Sequence, residues 1–264
     1  MTLLAVKGLS ISFGGVHAVE DLSFDVPRGR IFSIIGPNGA GKTTLFNMIS
    51  GIYHPVRGQV LFDDQDITRM EPHLRARAGM SRTFQNLQTF FRLTVLENVM
   101  VGRHLHEPKA LLPHFLRLPS VQRANKACAE YANELLRFVG LDSQAGHVAG
   151  GLSYGALKRL EIARALASEP KLLLLDEPAA GCNAIETEQV DRLIQEIARR
   201  GVTVVLVDHD MKLVMKISDH ILVLDHGRKL AEGNPAGVRR NPDVIRAYLG
   251  VGAETGMEMR HAQD

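Results

Sequence analysis

The chain has 264 residues, which is enough for one or two domains with a sizeable hydrophobic core. Its 31 Lys and Arg residues nearly balance its 29 Asp and Glu residues, so the formal charge of +2 gives no argument for nucleic-acid binding. The two cysteines, Cys128 and Cys182, form neither a closely spaced metal-binding pair nor a disulfide framework, which fits a reducing, cytosolic setting.

The first part of the chain is predicted to be rich in β-strands. Residues 3–13 and 18–26 alternate in part between apolar and polar side chains on either side of Gly14, which indicates two antiparallel strands. The apolar residues 30–35 follow as a buried strand, and a shorter strand pair is predicted within residues 59–67. The longest apolar runs of the sequence have the length of a strand, so we expect no membrane span. Residues 1–4 are not followed by a basic segment and a long apolar segment, so we expect no signal peptide.

Residues 36–44 lie between the buried strand and an apolar segment that is predicted to be a helix. They match the phosphate-binding pattern G-x-x-x-x-G-K-[ST] in the strand–loop–helix context that this pattern requires. Glycines let backbone N–H groups approach an anion, and the start of the helix adds the positive end of its dipole. Lys42 is assigned to the β- and γ-phosphates and the Thr43 hydroxyl to Mg²⁺. The chain is therefore predicted to bind a nucleoside triphosphate. The predicted binding residues of this loop are Gly36, Pro37, Asn38, Gly39, Ala40, Gly41, Lys42, Thr43 and Thr44.

Two features near this loop have both a structural and a functional interpretation. Phe13, at the edge of a glycine turn, is either a ring that stacks on a nucleobase or an ordinary core residue, and periodicity does not separate the two. Downstream, a run of arginines is interpreted as a solvated helix face. These arginines are Arg69, Arg75, Arg77 and Arg82.

From Leu87 to about Leu152 the sequence changes from strand-rich to helical. Residues 122–139 repeat apolar side chains at spacings of three and four, which predicts an amphipathic helix with Cys128 on its core face. Residues 107–119 contain three prolines and are interpreted as an irregular connector. Three histidines nearby lack the ligand spacing of a metal site, so we expect no metal there. They are His104, His106 and His114.

The remaining chain alternates helices and strands, which predicts a parallel sheet with crossover helices. The predicted elements are helix 153–168, strand 171–176, helix 185–200, strand 202–208, a hairpin over 221–231, a closing helix over Pro235–Leu249, and a polar tail over 251–264.

Two of these strands end in side chains that suit phosphate chemistry. A buried parallel strand delivers its last residues to the ligand crevice of an α/β sheet. Asp176 is suited there to hold Mg²⁺, and Glu177 to polarise an attacking water. His209 ends the next strand and is assigned to the γ-phosphate. A metal triplet of Asp208, His209 and Asp210 is less economical, because adjacent strand residues point to opposite faces.

Two further stretches are weak signals in isolation. Ser153 is a suitable N-cap for its helix, and with Gly155 it opens a helix start that can bind an anion. Gln85 lies where the strand-rich part gives way to the helical part, and its side chain is a candidate Mg²⁺ ligand.

Taken in order, these motifs resemble the ATP-binding subunits of ABC transporters over residues 3–250. The resemblance makes 36–44 the Walker A motif, Gln85 the Q-loop, 152–156 the signature, Asp176-Glu177 the end of Walker B, Asn183 the D-loop and His209 the switch histidine. It implies an α/β fold of the P-loop NTPase class and ABC type, with a mixed sheet core, an antiparallel β subdomain and an inserted helical subdomain. It also implies one domain over 1–250, with a RecA-like and β lobe at about 1–86 and 160–235 and a helical subdomain at about 87–159.

The resemblance also implies cofactors, partners and roles. ATP and Mg²⁺ are the expected cofactors, with Thr43, Gln85 and Asp176 as Mg²⁺ ligands and with Lys42, Glu177 and His209 as catalytic residues. A second ATP-binding subunit, identical or different, is expected to complete the site, because Ser153 and Gly155 would serve the nucleotide of the partner.

A closer resemblance is to branched-chain amino acid importers. It is carried by 82–86, 94–99, 176–181, 209–215 and 241–250. It implies a cytoplasmic ATPase at the inner face of the cell membrane, contacting permease subunits through the region after Gln85 and binding neither nucleic acid nor the transported substrate. Two alternatives stay open: the ATPase of a lipid or lipopolysaccharide exporter, and a soluble non-transport ABC ATPase.

Two departures from the family pattern affect the surfaces that would meet the partner. Ala156 replaces the usual Gln or Glu of the signature, and Cys182 and Ala184 replace the usual Leu and Pro around Asn183. The expected consequence is on turnover and coupling between subunits more than on ATP binding.

Overall fold

The computed structural model describes residues 1–84, 86–106 and 119–248. Two compact units make up the chain: the first unit is Met1–Arg75 together with the chain from Ile197, and the second unit is Ala76–Glu196. The strands are β1 (Thr2–Phe13), β2 (Val16–Pro27), β3 (Ile31–Ile35), β4 (Arg57–Phe62), β5 (Gln65–Asp66), β6 (Met80–Arg82), β7 (Leu172–Asp176), β8 (Thr203–Val207), β9 (His220–Asp225) and β10 (Arg228–Gly233). The α-helices are α1 (Lys42–Ser50), α2 (Pro72–Ala78), α3 (Val95–Gly102), α4 (Pro119–Phe138), α5 (Tyr154–Leu166), α6 (Ala184–Arg199), α7 (Met211–Ile217) and α8 (Pro235–Arg240).

The first unit contains an antiparallel sheet with the strand order β2-β1-β4-β5. The hairpin of β1 and β2 closes where Phe13 pairs with Val16, and β1 also pairs with β4, where Val6 faces Val60. The side chains of Val6 and Val60 are buried, so one face of the sheet packs into the core. The pairing of β1 with β2 confirms the predicted antiparallel strands, and the pairing of β4 with β5 confirms the predicted short strand pair.

The same unit contains a second group of strands in the order β10-β9-β3-β8. β3 runs parallel to both β8 and β9, with Phe32 opposite Val205 on one side and His220 on the other. All five residues of β3 are buried, as expected for an apolar strand between two parallel neighbours. Because parallel strands end at the same edge, the segments that follow β3 and β8 leave the sheet together.

The second unit combines two parallel strands with helices. β6 pairs with β7, with Met80 opposite Leu172, and α3 packs on α4 and α5. Cys128 is 4% exposed on α4, which confirms its predicted place in the core. α3 begins at Thr94 with a reciprocal capping box, since Thr94 and Glu97 each accept a hydrogen bond from the other's backbone N–H.

The prediction of a solvated arginine face is wrong for Arg75. This side chain is 1% exposed, and its guanidinium donates to the carbonyl oxygens of Met48 and Ile49 at 2.8 and 2.6 Å and to that of Met70 at 2.8 Å. Burial lowers the pKa of Arg75 to about 10. Its charge thus satisfies the last carbonyls of α1, where a cation is favoured by the helix dipole.

The predicted closing helix over Pro235–Leu249 is also wrong as a single element. α8 stops before Asn241, which is extended with ψ 119°, and residues 242–248 are helical again. The cause is Pro242, because a proline disfavours helical geometry at the residue before it. Asn241 then caps the next turn, its side chain accepting the backbone N–H of Asp243 at 2.9 Å.

Candidate functional site

The loop after β3 has a backbone that only glycine can adopt at two positions. Gly36 has φ 155°, and a Cβ there would lie 2.2 Å from the carbonyl oxygen of Leu224. Gly41 has φ 94°, and a Cβ there would lie 2.4 Å from the carbonyl oxygen of Ala18. The loop therefore packs tightly against neighbouring backbone of the first unit, and this packing fixes its conformation before any ligand binds.

Lys42 and Thr43 begin α1 directly after this loop. Lys42 Nζ donates to the carbonyl oxygens of Gly36 and Pro37 at 2.7 and 2.9 Å, so its ammonium group is folded over the loop. The Thr43 side chain is exposed. Gly41 is the N-cap and has no side chain to accept the first N–H groups of α1, which leaves those donors for an anion.

Phe13 lies at the tip of the β1–β2 hairpin and is not a core residue. Its ring is 46% exposed and meets the ring of Tyr53 edge to face, with centroids 5.4 Å apart. Of the two interpretations that the sequence left open, the structure excludes the core one. Tyr53 is a second exposed aromatic residue beside Phe13, and no motif in the sequence indicates it.

His209 follows β8 and has a 65% exposed side chain, with Nδ1 3.9 Å from Oδ1 of Asp208. The two neighbouring carboxylates accept hydrogen bonds from backbone N–H groups. Asp208 accepts from the N–H of Asp210 at 2.9 Å, and Asp210 caps α7 by accepting from the N–H of Lys212 at 2.8 Å. This arrangement favours a single histidine over an Asp-His-Asp metal triplet. Across 1–84, 86–106 and 119–248, no group of three or more His, Cys, Asp or Glu side chains is arranged to hold a metal ion.

Asp176 ends β7 in the second unit and is paired with an arginine that sequence reasoning placed on a solvated face. Arg82 Nη2 lies 3.2 Å from Asp176 Oδ2, and the two side chains are 10% and 7% exposed. Burial raises the pKa of Asp176, and the Arg82 charge opposes that shift. The prediction for Arg82 is therefore wrong: β6, parallel to β7, brings it beside the acid.

Glu177 follows Asp176 with φ 48°, a left-handed backbone that non-glycine residues adopt at a cost. This turn changes the direction of the chain directly after the buried strand, and the Glu177 side chain is half-buried. Gln85, the predicted Q-loop residue, lies outside the described residues. Its neighbour Thr83 is hydrogen-bonded to β7 through its backbone N–H and the Leu174 carbonyl oxygen at 2.9 Å.

The predicted signature residues meet the predicted D-loop through a carboxylate. Ser153 is the N-cap of α5, and its hydroxyl accepts the N–H of Ala156 at 3.3 Å and donates to Glu186 Oε1 at 3.2 Å. The Gly155 N–H donates to the same oxygen at 3.2 Å, and the Asn183 N–H donates to Glu186 Oε2 at 3.1 Å. Sequence reasoning missed Glu186, although its position three residues after Asn183 is that of a capping-box acid.

Thr43 and Asp176 each carry an oxygen atom of a type that can coordinate Mg²⁺. A hydroxyl and a carboxylate are the hard ligands that Mg²⁺ uses, and this ion is commonly held by one or two protein groups together with water and substrate phosphates.

A glycine-built loop between a buried parallel strand and a helix defines a P-loop nucleotide-binding protein. The sequence matches the family described as ABC transporter over residues 19–180, more than half of the chain, and the family described as Branched-chain amino acid ATP-binding cassette transporter over residues 228–254. The chain therefore belongs to the ABC transporter ATPases, as predicted.

Similar proteins agree with this family and with the predicted fold class. The high-affinity branched-chain amino acid transport ATP-binding protein BraF of Pseudomonas aeruginosa is 45% identical over 94% of this chain and 98% of its own length. The lipopolysaccharide export system ATP-binding protein LptB of Escherichia coli strain K12 is 34% identical over 95% of this chain and 98% of its own. The ADP conformation of MJ1267, an ATP-binding cassette of an ABC transporter, has a TM-score of 0.82 at 32% identity, covering 95% of this chain and 99% of that one. A dimeric post-hydrolysis state of the cassette MJ0796 bound to ADP and Pi has a TM-score of 0.73 at 26% identity, covering 88% and 99%.

Among the residues that the structure describes, none forms a helix that is both long enough and apolar enough to cross a bilayer.

Proposed function

We propose that this chain is the ATP-hydrolysing subunit that energises import of branched-chain or similar amino acids. The observation that carries the proposal is the match to the branched-chain amino acid cassette family at residues 228–254, combined with 45% identity to BraF across almost the whole chain. The exporter-type relative LptB is less similar, at 34% identity.

The phosphate loop and Lys42 are proposed to hold the triphosphate. The loop amides face the β- and γ-phosphates, and Lys42 exchanges its two carbonyl partners in the loop for phosphate oxygens. Phe13 is proposed to stack on the base, since its ring is exposed and already oriented by Tyr53. Thr43, Gln85 and Asp176 are the proposed Mg²⁺ ligands, and the ion, when bound, neutralises charge on the β- and γ-phosphates.

Hydrolysis is assigned to Glu177 and His209. Glu177 accepts a proton from, or orients, the water that attacks the γ-phosphate, and His209 donates a hydrogen bond to that phosphate. Ser153, Gly155 and Asn183 are proposed to face the nucleotide of a second ATP-binding subunit. The cassette MJ0796, which has a similar fold, forms a dimer bound to ADP and Pi, and this supports the pairing of two such subunits.

A groove in the second unit is the proposed contact for permease subunits at the inner face of the membrane. Its apolar walls include Phe84, Leu87 and Phe90, and its polar groups include Glu161 and Arg164. Phe84 and Phe90 are 41% and 47% exposed, and exposed apolar side chains grouped along one groove are typical of an interaction surface.

The experiment is co-purification of the tagged chain from detergent-solubilised membranes, with identification of every subunit by mass spectrometry. We expect two permease subunits, and ATPase activity that rises when a periplasmic binding protein loaded with leucine, isoleucine or valine is added. Recovery of lipopolysaccharide-export subunits would instead support the alternative function, the ATPase of a lipid or lipopolysaccharide exporter. Recovery of nucleic acid or ribosomes without membrane subunits would contradict both.

Replacing the proposed base tests the chemistry in the same complex. Glu177→Gln keeps the shape of the side chain and removes its basicity, so we expect ATP binding to persist and turnover to fall by roughly 10²–10⁴-fold. Lys42→Ala is the matched variant for binding, and it should weaken nucleotide affinity instead. Unchanged steady-state turnover in the Glu177→Gln complex would remove that residue from its role.

A further inference from the structure

The Glu186 carboxylate is bound by the donors that the proposed function reserves for a nucleotide. Oε1 accepts the Ser153 hydroxyl and the Gly155 N–H, each at 3.2 Å, while Oε2 accepts the Asn183 N–H at 3.1 Å. All four residues belong to the second unit. One carboxylate therefore joins the start of the signature helix α5 to the segment that precedes α6.

The Glu186 carboxylate packs closely against Gly155 in the first turn of α5. A Cβ at Gly155 would lie 2.5 Å from Cδ of Glu186, so the absence of a side chain is what admits the acid. Hydrogen bonds from the Asn183 backbone, and then from Gly155 and Ser153, lower the pKa of Glu186. The group is thus an anion at the N-terminus of a helix of 13 residues, which is where the helix dipole favours negative charge.

We propose that Glu186 is an internal competitor for the γ-phosphate of the nucleotide bound by the partner subunit. The inference rests on the proposed function, in which Ser153 and Gly155 serve that nucleotide. A hydroxyl and a backbone N–H each supply one proton, so they cannot fully serve a carboxylate and a phosphate together, and two anions in one place repel. The incoming γ-phosphate therefore displaces Glu186 from both donors.

The displacement has a second effect because the carboxylate is shared. When Oε1 loses Ser153 and Gly155, the hold of Oε2 on Asn183 is weakened as well, so the arrival of a γ-phosphate at the signature is transmitted to the D-loop. ADP lacks the γ-phosphate and does not compete for these donors. Glu186 thereby makes closure of the subunit pair selective for the triphosphate.

The test compares ATP and ADP in the co-purified transporter complex. Glu186→Gln has nearly the same shape but carries no charge, so its hold on the donors is weaker and the γ-phosphate displaces it more easily. We expect the half-saturating ATP concentration for turnover to fall about tenfold, which corresponds to the difference between charged and neutral hydrogen bonds. The inhibition constant for ADP should stay within about twofold of its value in the unmodified complex.

Glu188→Gln is the matched control, because Glu188 lies on the same helix, is 53% exposed and pairs with Arg192 at 2.7 Å. It removes the same charge without touching the signature, so both nucleotide constants should be unchanged. Glu186→Asp is the second variant if Glu186→Gln lowers the melting temperature. The aspartate side chain is one methylene shorter, so its carboxylate lies further from the donors. This variant should lower the half-saturating ATP concentration by a smaller factor than Glu186→Gln does.

The outcomes separate the inference from the proposed function. A half-saturating ATP concentration that is unchanged or higher in Glu186→Gln, while Lys42→Ala weakens nucleotide affinity, would show that Glu186 is only a structural support and would overturn the inference alone. Equal shifts for ATP and ADP would overturn it too. Undiminished nucleotide affinity in the Lys42→Ala complex would instead contradict the proposed phosphate site.

Discussion

The phosphate loop of the first unit and the acidic and signature residues of the second unit are built by different means. Gly36 and Gly41 fit against backbone carbonyl oxygens, so main-chain packing restricts the shape of the loop, and the Lys42 side chain adds hydrogen bonds to it. In the second unit, Asp176 depends on the Arg82 side chain, and Ser153 on Glu186. Backbone packed against backbone has one arrangement, whereas side chains can exchange partners. We infer that the loop is preformed for binding and that rearrangement belongs to the second unit.

Arg82→Met should have the largest effect on stability, because it breaks a pair built from side chains. It leaves the Asp176 carboxylate buried without its guanidinium partner, for which we expect a loss of about 3–5 kcal/mol in the free energy of unfolding at pH 8. Urea unfolding of the nucleotide-free chain measures this. Adding Asp176→Asn to Arg82→Met removes the buried charge and should recover most of the loss.

The same variant has a pH dependence whose sign is fixed by the raised pKa of Asp176. Burial raises this pKa in the folded state, and removal of Arg82 raises it further, since the Arg82 charge lowers it. The folded protein then binds a proton more readily than the unfolded chain, so stability is retained below the unfolded pKa and lost as the pH rises through the folded pKa. The loss at pH 5 should be smaller than at pH 8, and an equal loss would contradict the account.

Gly36→Ala tests the phosphate loop of the first unit, which is the other region of the comparison. The new Cβ would meet the Leu224 carbonyl oxygen at 2.2 Å, and neither backbone can move freely, so we expect a loss of about 3 kcal/mol together with loss of nucleotide binding. Gly39→Ala is the control, since Gly39 has φ 81° but a Cβ there would have no atom within 4 Å other than those of its chain neighbours. Its cost should be limited to roughly 1–2 kcal/mol of backbone strain. Thermal and urea unfolding of both variants decide whether contact or strain dominates.

The sequence predicts the first region better than the second for the same physical reason. A phosphate loop is local, so its pattern specifies both the backbone and the ligand within nine consecutive residues, 36–44. The partner of Arg82 in the second unit, Asp176, lies 94 residues further along the chain, and a charge run contains no information about it. Glu186 is similar, because its capping-box spacing predicts the bond to Asn183 but not the bonds to Ser153 and Gly155. The break at Asn241 was readable from Pro242, since proline restricts the residue before it.

Phe13→Ala sharpens the comparison by testing an exposed side chain of the first region that takes no part in the phosphate loop. The ring is 46% exposed, so we expect stability to change by less than about 0.5 kcal/mol. ATP affinity should fall about fivefold or more, which is the lower end of what stacking on a base contributes. Calorimetric titration with ATP and with inorganic tripolyphosphate separates the two, because the latter has no base and should bind equally to both proteins. A parallel loss for tripolyphosphate would place Phe13 in support of the loop instead.

Ala156→Gln has the smallest expected effect and bears on the second region. Ala156 is 4% exposed, and its N–H is the one that Ser153 caps. Its side chain borders a cavity lined also by Gln144, His147 and Arg159, so a longer side chain has space to enter. A new amide contact there should strengthen the signature and raise turnover of the assembled complex about fivefold, the value of one hydrogen bond. Ala156→Met fills the cavity without an amide and should leave turnover unchanged. If neither variant gains activity, the signature tolerates alanine, and its performance depends on Ser153, Gly155 and their carboxylate partner.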